Sequence, residues 1–203
     1  REAARYQGGA IDGATLRDLV RIVEMIFLGV GMLAVLIFLF SSDHVARHWL
    51  KAEQLSVDEI KFAVILIGLV VPLRWMSGLY RGMVVGFERL VWLAGFNMTI
   101  ATARFLGVLA VFATLGTSPA LFFGYQLFVG VVELSVLTLM TYRLLPQRGD
   151  ARSIRQSWQA LRSVLGFSLT IAFTGAVWVL ITQTDKLVLS RMLTLSDYGY
   201  FSL

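Results

Sequence analysis

The sequence predicts an all-α, polytopic bundle of membrane-spanning helices, and three observations carry that expectation. Of its 203 residues, 57% are hydrophobic and only 15% are charged, with a mean hydropathy of +0.74; an average soluble domain is about 25% charged. The apolar residues gather into runs of roughly 20, the length that crosses a hydrocarbon core about 30 Å thick. Between those runs the breaks are short and polar, and no strand-like alternation appears anywhere. The chain has no cysteine, which removes disulfides and cysteine-ligated metals. Its formal charge of +5 rests mostly on arginine, without the basic face on a soluble domain that nucleic-acid binding needs. It opens Arg1-Glu2-Ala3 with neither an initiator Met nor a signal-peptide pattern, and stops at Leu203 in mid-helix pattern. An internal piece of a longer protein is the expectation.

The elements follow in order. Residues 1–18 are polar and glycine-bearing and read as a loop, with Thr15 and Asp18 as a capping box for the first span. That span covers about 19–40; its only charges, Arg21 and Glu24, sit in the first turns, where i,i+3 pairing and snorkelling make them tolerable. Residues 41–58 turn polar. His44 and His48 stand i,i+4, a spacing that suits a metal, but no carboxylate motif such as HExxH accompanies them, and a solvated short helix is the expected form. Ser56 and Glu59 form a capping box and Leu55 with Ile60 a hydrophobic staple. The second span, about 60–79, should kink at Pro72.

Gly78, Gly82 and Gly86 recur every four residues, either on one helical face for close approach in a membrane or as part of a tight turn. A third span follows at about 90–115. The Asn97-Met98-Thr99 sequon inside it is placed too deep for glycosylation. Ser118 as N-cap and Pro119 at the first helical position start a fourth span, about 120–142. The first 145 residues are thus four spans. Pro146 to Asp150 is the clearest linker; through residue 162 it leads into a basic amphipathic helix, with Ile154, Trp158, Leu161 and Leu165 at helical spacing. Residues 163–203 hold a fifth span, about 164–182, and the start of another helix at Ser196-Asp197. Loop arginines and lysines alternate between rich and poor, which puts the N-terminus and the linker on the cytoplasmic side.

Ionisable residues within a span are expensive and mark candidate sites. Counting 1.5 Å per residue from the turn at Thr117 puts Arg104 about 20 Å deep and Glu133 about 24 Å deep, level with each other on an antiparallel hairpin. Asn97 precedes Arg104 by seven residues and Gln126 precedes Glu133 by seven, so each helix carries a polar stripe. A structural salt bridge and an anion-attracting hydrated cavity are both open readings, and a bridge can open to ligand. Arg74 and Arg81, near one end of the second span, either snorkel to lipid phosphate or join that cavity. Asp185 and Lys186 sit in the polar knot Thr182-Gln183-Thr184-Asp185-Lys186 and read either as an interfacial pair or as a proton, ion or substrate contact. No Ser/His/Asp set, metal cluster or phosphate loop suggests an enzyme, and no cofactor is implied.

REAARYQGG before the first span, GLYRGMVVGFERLVWLAGFN across the second and third, and TDKLVLSRMLTLSDYGYFSL at the end resemble the Wzx-type polysaccharide flippases of the multidrug/oligosaccharidyl-lipid/polysaccharide (MOP) exporter superfamily. The resemblance runs along nearly the whole chain and implies about half of a two-lobe, MATE-like exporter fold. The four spans would close the N-terminal lobe, 146–162 would join the lobes, and the fifth span would open the second. It further implies a bacterial or archaeal cytoplasmic (inner) membrane, with isoprenoid-pyrophosphate-linked oligosaccharide moved to the outer leaflet by alternating access. Arg104 best matches a cationic cavity residue; Arg74, Arg81, Asn97 and Gln126 would line the same cavity. Asp185, Glu133 and Lys186 are the candidates for coupling to protons or sodium ions. The implied partners are the lipid-linked oligosaccharide, membrane lipids and polysaccharide polymerase machinery. A MATE-like drug antiporter, or a polytopic glycosyltransferase or ligase, is the alternative.

Overall fold

The computed structural model describes residues 2–49, 56–146, 154–192 and 195–202, all of them helix or short connection, with no strand among them. In order the helices are α1 (Glu2–Gln7), α2 (Gly13–His44), α3 (Val57–Gly86), α4 (Leu90–Leu115), α5 (Pro119–Leu144), α6 (Ile154–Met192) and α7 (Leu195–Ser202), with a π-helical segment, Val45–Trp49, continuing α2. Helices α2 to α5 are each long and apolar enough to cross a membrane. Most of their surface is not buried in the bundle: Phe40, Val91, Met98 and Phe105 are all strongly exposed. A polar solvent would oppose that surface, whereas a bilayer accepts it. The described chain is a helical bundle with four helices fit to span a membrane.

Helix α3 is the hub. It packs against α2, α4 and α5, while α6 packs mainly along α2. Down its length run three patches of core. Ala46, Ile60 and Val64 bury at one end; Met76, Tyr80, Val84, Leu93 and Leu137 meet in the lower half; and Ala3, Leu16, Val20, Phe87 and Leu145 close the far end. Pro72 lies inside α3 without ending it. Gly31 of α2 sits against its ring, where an added Cβ would come within 3.2 Å.

Several expected boundaries hold. Ser56 and Glu59 form the reciprocal capping box, Ser118 accepts from the Leu121 amide with Pro119 at the helix start, α4 spans Leu90–Leu115, and α7 opens across Ser196-Asp197.

Four expectations are corrected. Residues 1–18 are not all loop: α1 forms because Ala3 and Tyr6 pack against Phe87 and Leu145, and Gly86 leaves room for the Ala3 methyl, 2.6 Å from where a Cβ would stand. Helix α2 starts at Gly13, not after Thr15; the Thr15 hydroxyl bonds the Asp12 carboxylate at the N-cap position. Gly78–Gly86 is helix throughout, extending the second span to Gly86. Only Gly86 of the three glycines makes a close approach, since nothing lies within 4 Å of a Cβ at Gly78 or Gly82. Finally, the amphipathic segment and the fifth span form one continuous helix, α6. Residues 147–153 of the linker, and 50–55 with the Leu55 staple, lie outside the described residues.

Candidate functional site

Midway along the bundle, α5 presents Glu133, whose side chain is only 4% exposed. Its two oxygens are taken by two arginines from different helices. Arg81 of α3 pairs with Oε1, and Arg104 of α4 donates from Nη2 to Oε2 at 2.6 Å. The expected Arg104–Glu133 pair is therefore present, and Arg81 joins it. Arg81 stands seven residues after Arg74, about two turns along one face of α3, and both guanidiniums act electrostatically on Arg104. Among the described residues Arg74 has no carboxylate partner. It lines a groove of about 530 Å³ between α2 and α3, walled by Ile26, Phe27, Val30, Trp75 and Leu79. Three guanidiniums against one carboxylate leave the cluster with a formal excess of two positive charges.

Of the polar stripes, Gln126 meets this cluster. Gln126 of α5 is buried, and its Nε2 faces the Arg104 carbonyl at 3.5 Å. The Tyr125 hydroxyl donates to the Ala103 carbonyl at 2.7 Å, so the α4–α5 hairpin is tied at that level. Gly107 makes the approach feasible, because a Cβ there would lie 1.8 Å from the Tyr125 oxygen. Three buried polar atoms on the α4–α5 hairpin, Asn97 Oδ1, Arg104 Nε and Gln126 Oε1, have no hydrogen-bond partner. Buried polar groups are nearly always paired, so these unmet atoms are exceptions that single the α4–α5 hairpin out as a candidate site.

Asp185 and Lys186 are exposed on α6, a helix that packs mainly along α2, and they do not join the Glu133 cluster. His44 is exposed at the end of α2, and no group of three His, Asp or Glu side chains able to hold a metal occurs among the described residues.

The sequence reading missed one residue. Glu24 of α2 does not depend on Arg21; its Oε1 accepts from Tyr80 of α3 at 2.8 Å and its Oε2 from Tyr142 of α5 at 2.7 Å. The available signal was two tyrosines near the ends of neighbouring spans, with nothing in the sequence to join them to Glu24.

No family model, curated protein or solved structure matches the chain.

Proposed function

We propose that the chain is part of a transporter, not an enzyme, that flips isoprenoid-pyrophosphate-linked oligosaccharides across a bacterial or archaeal cytoplasmic membrane. The observation that supports this reading is the Arg74–Arg81–Arg104 cluster around the single carboxylate of Glu133. An unneutralised arginine midway through a bilayer costs at least about 2.5–3.5 kcal/mol. A pyrophosphate entering the bundle supplies the missing negative charge and accepts charge-assisted hydrogen bonds from the guanidiniums. Asn97 and Gln126, with oxygens still unbonded, are suited to sugar hydroxyls. The apolar groove beside Arg74 suits the isoprenoid chain. In this scheme the chain contributes the closing helices of an N-terminal lobe and the opening helix of a second, in a MATE-like fold working by alternating access. Asp185, with Lys186 beside it, is the candidate for ion coupling from the second lobe.

The test is export of cell-surface polysaccharide by the full-length protein. Arg104→Ala abolishes export and Arg104→Lys retains part of it. A folded, membrane-inserted Arg104→Ala protein that exports normally overturns the proposal.

A further inference from the structure

We infer that the seam between α2 and α3 is a preformed site for one isoprenoid chain, with the Arg74 guanidinium holding the lipid phosphate at the chain's head. The inference rests on the lipid-linked substrate proposed above and says where its chain lies. Two recesses occupy the seam. The first, of about 530 Å³, begins at Arg74; the second, of about 340 Å³, ends against Glu2 and Ala3 of α1. Gly78 and Leu79 line both, so the two are consecutive stretches of one groove. Apart from Arg74 and Glu2 its lining is apolar. It lies on the outside of the bundle, where Ile26, Val30 and Trp75 are exposed, so a lipid reaches it directly from the bilayer.

The ends of the groove set the direction of its occupant. Glu2, ion-paired with Arg5, stands at one end, and Arg74, without a carboxylate partner among the described residues, stands at the other. An anionic head therefore belongs at Arg74, which also acts electrostatically on Arg104, and the chain runs from there toward α1. Arg74, Gly78 and Gly82 stand four apart in one row of α3, so the guanidinium heads about 12 Å of floor without side chains. Glycine inside a helix is destabilising relative to Ala. At Gly86 it admits the Ala3 methyl, but an added Cβ at Gly78 or Gly82 would meet nothing within 4 Å. Packing within the chain does not use these two glycines, and the space above them is the groove. Its walls are held in place: Tyr80 donates to Glu24 at 2.8 Å beside it, and Lys61 pairs with Asp43 at 3.4 Å beyond it. Filling it needs no separation of α2 from α3. A further helix, about 10–12 Å across, does not enter recesses of this size, whereas a hydrocarbon chain does. In a bilayer the gain is close packing along the chain and a charge-assisted bond at its head.

The test is photo-crosslinking with native mass spectrometry on the full-length protein in phosphatidylglycerol nanodiscs. The probe is a polyisoprenyl phosphate carrying a diazirine in its chain. One probe binds per protein and labels the groove, at Val23, Ile26 or Leu79, against excess phosphatidylglycerol. Gly78→Leu and Gly82→Leu each fill the floor. Both fold, because no neighbour meets the new Cβ and Leu is the better helix former. Each weakens the probe by about tenfold, the order expected for overfilling a packed site, and moves the label out of the groove. Arg74→Gln weakens the phosphate probe by about tenfold, the loss of a hydrogen bond to a charged group, and leaves binding of the uncharged polyisoprenol unchanged. Affinity and labelling unchanged in both Leu variants overturn the inference. So does a phosphatidylglycerol bearing the same diazirine that labels the groove as strongly, which marks bulk bilayer lipid. A crosslinked dimer lost in Gly78→Leu overturns it too, by assigning the seam to a second copy of the chain. Export separates this site from the proposed function. A parent protein that exports polysaccharide while its groove is never labelled loses the chain site alone, and a labelled groove with normal export by Arg104→Ala keeps the site and removes the function.

Discussion

Replacing Glu133 by Gln should destabilise the protein more than any other single change in the arginine cluster. The substitution keeps the shape of the side chain and deletes its charge, leaving Arg81 and Arg104 facing each other without their shared anion. Removing one partner of a buried ion pair costs about 3–5 kcal/mol, because the other charge stays behind uncompensated. Here Glu133 is 4% exposed and Arg104 16%, while Arg81 at 35% can partly turn toward solvent. The Arg104 contribution is therefore close to the full buried-pair value and the Arg81 contribution falls to the level of a half-exposed one, which places the loss at about 3–4 kcal/mol. At about 2–4 °C per kcal/mol for chains of this size, Tm in detergent should fall by about 10 °C. A companion variant, Arg81→Met/Arg104→Met/Glu133→Leu, removes all three charges together and should recover to within about 1 kcal/mol of the parent, as buried ion triads replaced by apolar residues do. A Glu133→Gln protein within about 1 kcal/mol of the parent would refute the electrostatic account. A triple variant as unstable as the single one would show that packing, not charge, is what Glu133 supplies.

Three smaller perturbations test the scaffold by thermal unfolding or amide exchange. Gly107→Ala should cost about 1–3 kcal/mol, the usual penalty for overpacking, because its Cβ would meet the Tyr125 hydroxyl that ties α5 to Ala103; adding Tyr125→Phe should cost less than the two changes summed, and strict additivity would deny the contact. Glu88 has φ of 59° in the α3–α4 turn, a region that Asn tolerates and β-branched residues do not. Glu88→Asn should therefore be neutral or slightly stabilising and Glu88→Val destabilising by about 1–3 kcal/mol, with equal stability of the two counting against the left-handed turn. Ser56→Ala removes the hydroxyl that accepts from the Glu59 amide, which should cost about 1 kcal/mol and speed exchange of that amide, whereas unchanged exchange would argue that the cap is idle.

How much of this was legible in the sequence depends on the range of the interaction. Caps and spans are local, and Ser56–Glu59, Ser118–Pro119 and the limits of α4 could be read directly. The Arg104–Glu133 pair was also readable, because a tight turn at residues 116–118 makes depth a matter of counting. Arg81 was not, since its reach to Glu133 depends on how α3 lies against α5, two helices with a third between them in sequence. Helix α1 escaped for the same reason: six polar-looking residues fold only because Phe87 and Leu145 offer Ala3 and Tyr6 a surface. Glu24 was given the nearest charge in sequence, Arg21, while its actual partners lie 56 and 118 residues away.

The two carboxylates are joined through a single point on α3. Tyr80 and Arg81 are consecutive, and successive helical residues project about 100° apart, so one can hold Glu24 of α2 while the other holds Glu133 of α5. A shift of α3 along its axis or about it must alter both contacts together, because no backbone freedom lies between the two residues. Tyr80 is nearly fully buried, whereas Arg81 is about one-third exposed, so the strain of such a shift would fall on the arginine, which has rotamers and solvent to move into. Loss of the Tyr80–Glu24 contact is thereby felt first as a change in how Arg81 shares Glu133 with Arg104. This makes α3, not the α4–α5 hairpin that the sequence brings forward, the helix that joins the two carboxylate contacts.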